Sequence, residues 1–357
     1  MSRIFFALLI CAAVTGVGAG PLDTWQVRTN FISQVLPDVA HHNGVYVFTG
    51  WDPNRIITTT NLNTPDSFAF HTVSSGRPRS VEFGAGRFVV ACEGGSMLSS
   101  TNGYDWESHG ASGAYLSMIF ADNRFVAIGN RLATSSTNGT DWIPGQLPVS
   151  AQDLTFGNGI FLATGNVTNA ISTDGITWET YVLPGRTNFY TVGFGEEKFV
   201  GLAIGSSGPN IFTSTDGRNW ETHGRLEVVR PGRIAWGNGY FVAVGGGARA
   251  YSDDGISWTV VPSNRTESNV EFIDGRFFAP GYQTLAVSGP VAQLVWRHGN
   301  QLEISVAPGQ RLQLEGTESI TSGWQAVDTE IEATGDNLKL EMPTAGAQKF
   351  FRARILE

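Results

Sequence analysis

The stretch ISTDGITWET, residues 171–180, recurs along the chain with small changes, and this repetition decides the fold. Each copy places Asp or Asn before Gly, a pair that favours a tight turn because the first side chain bonds its own backbone and glycine accepts left-handed conformations. Because the motif recurs in repeat after repeat, it is expected to serve what all repeats share, which is packing. The pattern therefore favours a scaffold role over a catalytic one. The other copies are LSSTNGYDWE from residue 98, TSSTNGTDWI from 134, FTSTDGRNWE from 212 and AYSDDGISWT from 250.

An aromatic residue that follows a turn such as GNG or GAG supplies a second repeated mark. Its spacing is 36 to 42 residues, and the tryptophan of the turn motif keeps a similar period. Periods of about forty residues are typical of propeller blades. The aromatic positions are Tyr46, Phe88, Phe125, Phe161, Phe199, Phe241 and Phe277, and the tryptophans are Trp106, Trp142, Trp178, Trp220 and Trp258.

One unit shows how the strands are arranged. RIAWGNGYFVAVG, residues 233–245, holds two apolar runs around Asn238-Gly239, a strong hairpin signal. Asp254-Gly255 makes a second turn before the strand ISWTVV. The sequence therefore predicts an all-β fold over 20–290, a seven-bladed β-propeller of four-stranded antiparallel blades.

The last unit and the start of the chain complement each other. Residues 269–289 supply three strands but neither the turn nor its tryptophan, whereas LDTWQVR at 22–28 places Trp25 in the tryptophan position. We expect the N-terminal strand to become the outer strand of the last blade and to close the ring, since closure removes an open sheet edge. In the irregular first unit, Phe68 takes the tryptophan position.

Residues 291–357 lose the period. Apolar and polar residues alternate there in short runs, with Pro308-Gly309 and Gly335-Asp336 as turns. This pattern predicts a small β-rich C-terminal module, a β-sandwich, that serves attachment, sorting or stability.

The N-terminus predicts export, and the composition disfavours some classes of partner. Residues 1–19 read as a signal peptide, with Arg3 ahead of an apolar run and a small-residue cleavage site. Cys92 is then the only cysteine, within an apolar run that predicts burial. The net charge of -9 and only three lysines disfavour nucleic acid as a partner, and no membrane span is expected. We expect a monomeric, secreted, periplasmic or cell-envelope protein.

The run Ser172-Thr-Asp174-Gly175-Ile-Thr177-Trp178 resembles the Asp-box (bacterial neuraminidase) repeats of sialidase-type propellers, although it lacks one residue between Asp and Gly. It is closer to propellers of exported bacterial proteins. The resemblance implies a peripheral turn away from any active site. It therefore implies structural repeat roles for Trp25, Trp106, Trp142, Trp178, Trp220, Trp258, Asp174, Asp216 and Asp254. The runs 320–324 and 350–354 resemble a terminal module of exported bacterial proteins.

The chain offers no metal, cofactor or catalytic signature. Its six histidines lack ligand-like spacing, and His41 stands where the other units have an aromatic residue, so a packed core histidine is expected. A sialidase would need three arginines around a carboxylate, and Arg79, Arg186 and Arg233 are the candidates. A glycoside hydrolase or lyase therefore remains an alternative, although the lack of catalytic motifs favours a protein that is not an enzyme.

A positional alignment of the units gives the candidate binding site. Three residues before the first-strand aromatic position, every unit has a polar residue, and we name these seven residues the polar ring. Because the first strand is innermost in a propeller, they are expected at one mouth of the central channel, although strand starts near solvent are often polar anyway. The polar ring is Asp38, Ser80, Ser117, Asp153, Thr191, Arg233 and Asn269. Neighbouring connections add Arg186, Tyr190 and Arg230.

The favoured hypothesis is a non-catalytic binding or scaffold propeller that takes a saccharide or protein ligand at this mouth. In it, Arg233 and Tyr190 face solvent, and Arg233 presents a bidentate fork to the ligand. The alternatives are a sialidase-like glycoside hydrolase or lyase using the same channel, and a purely structural envelope protein.

Overall fold

The computed structural model describes residues 22–23, 25–29, 35–51, 53–64, 67–110, 113–165, 167–183, 188–205, 208–226 and 229–289, and the strands within 293–356. The predicted signal peptide, residues 1–19, lies outside the described residues. Every regular element described is a β-strand, so the all-β class is confirmed. No helix in the described residues has the length and apolar character that crossing a membrane requires.

The strands between 25 and 288 form six antiparallel sheets, which are the blades of a β-propeller. The first is β2 (Val39–His42), β3 (Val45–Gly50), β4 (Arg55–Thr59) and β5 (Ala69–Thr72); the second is β6 (Pro78–Gly84), β7 (Arg87–Cys92), β8 (Ser96–Ser100) and β9 (Glu107–Gly110). The third is β10 (Tyr115–Ala121), β11 (Arg124–Ser136), β12 (Ile143–Gly157), β13 (Ile160–Gly165), β14 (Thr168–Ser172) and β15 (Glu179–Val182).

The remaining three sheets follow in chain order. The fourth is β16 (Asn188–Gly195), β17 (Lys198–Gly205), β18 (Gly208–Ser214) and β19 (Glu221–Arg225); the fifth is β20 (Val229–Gly237), β21 (Tyr240–Ser252) and β22 (Thr259–Thr266). The sixth joins β23 (Glu271–Ile273), β24 (Arg276–Pro280) and β25 (Thr284–Ser288) to β1 (Trp25–Thr29).

The prediction of seven four-stranded blades is wrong. The repeat units around Phe125 and Phe161 share one six-stranded sheet, β10 to β15. The reason is β12, a fifteen-residue strand that pairs with β11 at its start and with β13 at its end. Its side chains alternate between exposed and buried along much of this length, so the backbone stays extended and the hydrogen-bonded sheet continues from one unit into the next.

The N-terminal strand lies where its sequence placed it, beside the strands of the last unit. β1 is hydrogen-bonded to β25 and completes a four-stranded sheet. The indole Nε1 of Trp25 donates to the carbonyl oxygen of Leu22, three residues earlier, at 2.9 Å. The predicted position of the N-terminal strand is confirmed by this pairing, but the prediction of a closed ring is not.

The C-terminal prediction is also corrected. The described strands of the C-terminal module form two small antiparallel sheets, and the predicted β-sandwich is not shown. One contains β26 (Gln293–Trp296), β27 (Gln301–Ser305) and β31 (Asn337–Glu341). In the other, β28 (Arg311–Thr317) pairs with β29 (Gln325–Ala326), β30 (Ile331–Glu332) and β32 (Phe350–Leu356). Alternation thus predicted strands correctly, but it carries no information on how two sheets are placed.

The predicted aromatic positions lie in the propeller core. Six of the seven are phenylalanines with at most 2% of their surface exposed: Phe88, Phe125, Phe161, Phe199, Phe241 and Phe277. Cys92 is a free, fully buried thiol, as predicted, and burial raises its pKa to about 11. The core explains the glycines that end the first strands: a Cβ on Gly157 would lie 2.0 Å from the Phe194 ring, and one on Gly237 would lie 2.1 Å from the Phe272 ring.

The repeated turn is a hydrogen-bonded scaffold. In the copy at 172–178, the backbone N–H of Gly175 donates to Ser172 Oγ at 2.8 Å, and the N–H groups of Ile176 and Thr177 donate to Asp174 Oδ1 at 2.8 and 2.7 Å. Burial alone would raise the pKa of Asp174, but these donors lower it to about 2. The same bonds form around Asn102, Asn138, Asp216 and Asp254.

The turn also touches the preceding repeat unit. Gly175 has a φ of +70°, and a Cβ placed there would lie 2.4 Å from Val126 Cγ2. The ring of Trp178, 8% exposed, packs in the same core cluster as Val126. Its position is therefore explained by packing between neighbouring units, in agreement with the scaffold interpretation of the motif.

Candidate functional site

The polar ring is largely buried. Six of its members expose 5% of their surface or less, and Arg233 is the exception: Asp38, Ser80, Ser117, Asp153, Thr191 and Asn269 are the buried six. These six side chains are therefore held inside the propeller, and only Arg233 of the polar ring is partly exposed. Burying a polar group is costly unless it is hydrogen-bonded, and the sequence alone does not show which partners these groups find.

Asp38 is the most heavily bonded member of the polar ring. Its Oδ2 accepts from Ser80 Oγ at 2.8 Å and from the Val81 backbone N–H at 2.9 Å. Its Oδ1 accepts from Asn269 Nδ2 at 2.6 Å and from the Val39 N–H at 2.9 Å. Asp38 thus ties the chain at the start of β2 to β6 and to the segment just before β23.

The same pattern recurs farther around the propeller. Asp153 Oδ2 accepts from the Val192 N–H at 3.1 Å, and Thr191 Oγ1 accepts from the Ile234 N–H at 3.2 Å. In each case the polar side chain of one first strand takes the backbone N–H that follows the polar position of the next. These contacts join neighbouring first strands, so part of the polar ring is structural.

Arg233 reaches across the channel. Its Nη2 donates to Ser117 Oγ at 2.9 Å, and its Nη1 lies 3.4 Å from Asp153 Oδ1. Its side chain is 23% exposed. Burial would lower the pKa of the guanidinium, but the charges of Asp153 and Asp38, followed by those of Glu271 and Glu82, raise it. The guanidinium of Arg233, which was expected to hold a ligand, is instead bound to Ser117 and Asp153.

Two functional candidates were missed by the sequence analysis, Glu82 and Glu271. Each stands two residues after a polar ring member, and residues i and i+2 of a strand point to the same side. The sequence contained a signal for both residues. Of the seven positions that lie two residues after a polar ring member, only these two are acidic. These positions hold Ala40, Glu82, Ile119, Thr155, Gly193, Ala235 and Glu271.

These residues surround a cavity of about 330 Å³, which we name the channel cavity. Its lining comes from five of the six sheets and combines charged groups with aromatic side chains. The charged residues are Glu82, Asp153, Arg233 and Glu271, and the aromatic ones are Phe120, Phe156, Phe194, Trp236 and Phe272.

Burial raises the pKa of both glutamates that line the channel cavity, Glu271 and Glu82. Burial raises the pKa of Glu271 to about 8, with a further rise from the nearby charge of Asp38, and Arg233 opposes the shift. Burial also raises the pKa of Glu82 well above its ordinary value, assisted by Glu271. The pKa of Asp38 is raised by burial too, although Arg233 and hydrogen bonds counteract it.

The other predicted binding residues are not gathered here. Arg79 pairs with Glu93 at 3.3 Å and lies over the Trp51 ring, 4.5 Å from its centroid, and it does not line the channel cavity. Tyr190 is partly buried on β16 and is also absent from the lining. Arg186 lies outside the described residues, and Arg230 lies on β20 with its side chain outside the description.

Two histidines of the first unit, His41 and His42, lie against aromatic rings. In the part of the chain that is described, no group of three or more His, Cys, Asp or Glu residues is arranged to hold a metal ion. The ring of His41 lies 4.3 Å from that of Tyr46, and the ring of His42 stacks on Phe83 at 3.6 Å. The packed-histidine interpretation of His41 agrees with this aromatic contact.

Comparison with known proteins identifies the fold. No family model matches the chain, and no curated protein matches its sequence. Among solved structures, YCF48 bound to D1 peptide is similar at a TM-score of 0.62 and 17% identity, covering 78% of this chain and 99% of its own. Virginiamycin B lyase from Staphylococcus aureus, with quinupristin, has a TM-score of 0.65 at 9% identity, covering 75% and 100%.

A third similar structure is the WD40 propeller domain of Doa1, with a TM-score of 0.56 and 15% identity, covering 72% of this chain and 93% of its own. All three identities are too low to carry function, because one fold hosts many activities. The comparisons and the sheets together show that the chain is a β-propeller.

Proposed function

We propose that this protein is a binding propeller whose ligand places a polar group in the channel cavity. The observation that carries the proposal is the convergence of Glu82, Asp153, Arg233 and Glu271 on one cavity inside the propeller. Concave sites lined by apolar walls with a few polar groups from different directions are typical of ligand binding. Here those directions are the first strands of four different repeat units.

Binding is favoured over catalysis by how the side chains are held. Asp153 accepts two backbone N–H bonds and pairs with Arg233, which is itself bonded to Ser117. Side chains that are held by such hydrogen bonds and ion pairs shape and polarise the wall of the channel cavity. The ligand classes compatible with the site are a polar side chain of a protein partner and a small polar molecule such as a saccharide unit.

Export forms part of the proposal. It is supported by the signal-like residues 1–19. Secretion of the full-length chain with a mature N-terminus near residue 20 tests this point, and retention of residues 1–19 in the secreted protein contradicts it.

The binding proposal is tested by screening the protein against glycan and peptide arrays and then measuring the hits with Glu271→Gln. The matched control is Glu221→Gln, because that side chain is 83% exposed on β19 and lies outside the channel cavity. Weakened binding with the first variant and unchanged binding with the second are expected. A ligand that is indifferent to Glu271→Gln and Glu82→Gln refutes the channel cavity as the site.

One observation favours glycoside hydrolysis as a second candidate. Glu82 and Glu271 share one cavity, and after burial the charge of Glu271 is the next cause that raises the pKa of Glu82. Glycosidases use two carboxyl groups, one of them held protonated as the acid. In this alternative Glu271 is the acid. Release of reducing sugar from a glycan panel that disappears with Glu271→Gln supports it, and binding without product release rejects it.

A further inference from the structure

Resting on the proposed function, we propose that the channel cavity receives an organic cation, a primary ammonium group on an alkyl chain, with Glu82 and Glu271 as its counter-ions. The group has two sources of the same chemistry, a free alkylamine or a lysine side chain of a partner protein. This assignment differs from the carboxylate or saccharide ligand that Arg233 suggested in the sequence.

The charges at the cavity favour a cation. Four carboxyl groups influence a single guanidinium there: Asp38, Glu82, Asp153 and Glu271 around Arg233. Asp153 is the one that forms an ion pair with Arg233, at 3.4 Å. Within the described part of the chain, Asp38, Glu82 and Glu271 have no cation of their own to pair with, so a cation that enters the cavity favours their ionised forms and supplies the missing positive charge.

Glu82 and Glu271 are the two carboxyl groups whose oxygens can accept further hydrogen bonds. The oxygens of Asp38 accept four hydrogen bonds from neighbouring residues. Glu271 accepts one bond, from Asn269 Nδ2 at 3.2 Å. Among the described contacts, Glu82 has neither a hydrogen bond nor an ion pair, although it is partly buried and lines the cavity. A partly buried carboxyl group without a partner, facing a cavity, is a site for a donor supplied from outside.

An anion is disfavoured by the state of Arg233. Both of its Nη atoms are engaged, with Ser117 and Asp153. Binding an anion through Arg233 would break these contacts and leave the carboxylate of Asp153 with its charge unpaired, which is costly in a buried site. The anion would also lie among the remaining carboxyl groups.

The lining also favours an organic cation over a metal ion. The described residues contain no cluster of three or more metal-ligating side chains, whereas five aromatic residues line the same cavity. Aromatic rings attract ammonium groups and accommodate the apolar chain that carries them. A volume of about 330 Å³ is ample for a butylammonium-sized group.

Binding of the cation is coupled to proton release. A positive charge beside Glu271 favours its ionised form, so a proton that Glu271 holds at neutral pH is released on binding. The groups that face Glu271 and enter this balance are Asp38, Glu82, Asp153 and Arg233, together with the amide of Asn269. Affinity is therefore expected to rise from pH 6 to pH 9, where alkylamines are still charged.

The experiment is isothermal titration calorimetry of the full chain with pentylamine, and with 1-pentanol and pentanoate as the neutral and anionic probes of equal length. Titrations in two buffers of different ionisation enthalpy count the protons released. Pentylamine is expected to bind at least tenfold more tightly than either other probe and to release protons. Glu82→Gln and Glu271→Gln are each expected to weaken it about tenfold or more, and Glu221→Gln to leave it unchanged.

The peptides Ala-Lys-Ala and Ala-norleucine-Ala identify the source. Preference for the lysine peptide over pentylamine assigns a protein partner, and the reverse assigns a free amine; both support the proposal. Equal or weaker binding of pentylamine than of pentanol or pentanoate overturns it. If a glycan or acidic peptide then binds with an affinity that depends on Glu271, the proposed function stands and only the cation proposal fails. If the affinity of every ligand found is unchanged by substitution of either glutamate, both proposals fail.

Discussion

The side-chain amide of Asn269 donates a hydrogen bond of 2.6 Å to Asp38 Oδ1, joining two residues that lie 231 positions apart in the chain. The contact is buried, and the other oxygen of Asp38 accepts from Ser80 and from the Val81 backbone. A single carboxylate therefore connects the first strand of the second sheet to the chain that enters the sixth.

Removing this carboxylate is expected to destabilise the propeller. Asp38→Ala leaves the Ser80 hydroxyl, the Val81 N–H and the Asn269 amide without their acceptor in a buried site. Unsatisfied buried groups of this kind cost about 1–3 kcal/mol each, so a loss of about 3–5 kcal/mol in the free energy of unfolding is expected. Denaturant unfolding measures it, with Asp38→Asn as the control that keeps one acceptor oxygen. An unchanged midpoint for Asp38→Ala would mean that the contact is not stabilising.

The channel carboxyl groups make stability depend on pH. The pKa of Glu271 is raised to about 8 in the folded protein from an ordinary value of 4.5, so the folded state binds more protons than the unfolded state between these values. The free energy of unfolding is therefore expected to fall as pH rises from about 4.5 to about 8, by at most about 1.4 kcal/mol per pH unit from this group. Glu271→Gln is expected to flatten that slope. Melting temperatures across pH 5–9 test it, and parallel profiles for the two proteins contradict it.

The turn glycine gives a prediction with an internal control. Gly175→Ala forces a residue with a Cβ to a φ of +70° and places that Cβ 2.4 Å from Val126 Cγ2, whereas Gly159 has a φ of +77° with open space around it. Both substitutions carry backbone strain of about 1–2 kcal/mol, and only the first adds a clash. Gly175→Ala is expected to lower the free energy of unfolding by about 1–3 kcal/mol more than Gly159→Ala. Equal losses would show that the contact with the preceding unit is unimportant.

The tryptophan of the turn is expected to stabilise the fold without affecting the ligand site. Trp178→Ala should cost about 3–5 kcal/mol, as truncation of large buried side chains does, while the folded fraction keeps its ligand affinity. Loss of ligand affinity at undiminished stability would overturn the scaffold interpretation of the motif.

Substitution to phenylalanine separates packing from hydrogen bonding in this motif. The indole N–H of Trp178 has no acceptor among the described contacts, whereas Trp220 Nε1 donates to the Gly217 carbonyl oxygen at 3.0 Å. Trp178→Phe should therefore be milder than Trp220→Phe, by about 1 kcal/mol in denaturant unfolding. The reverse order would show that the indole hydrogen bond contributes little.

The local structure of this protein was predictable because it depends on residues close together in the chain. The Asx-Gly pair specifies a turn through its own backbone bonds, as Asp174 and Gly175 do. Period and alternation identified the strands and the buried aromatic residues, and LDTWQVR was correctly matched to the strands of the last unit. The polar ring was found as a set of equivalent positions, which lie on or just before the first strand of each repeat unit.

The tertiary structure decided what these positions do. The sheet count changed because β12 continues as one strand, an outcome of backbone pairing between Asn130 and Ser150 that local propensity does not specify. Six members of the polar ring are buried, and they are hydrogen-bonded to other repeat units: Asp38, Asp153 and Thr191 bond to neighbouring units, and Ser117 bonds to Arg233. Glu82 and Glu271 converge on the channel cavity although 188 residues separate them. The sequence by itself determined the turns, the strands and the repeated core, since these follow from short-range chemistry. The site was decided by the arrangement of the sheets, since hydrogen bonds and charge balance in a cavity depend on distances between residues far apart in the chain.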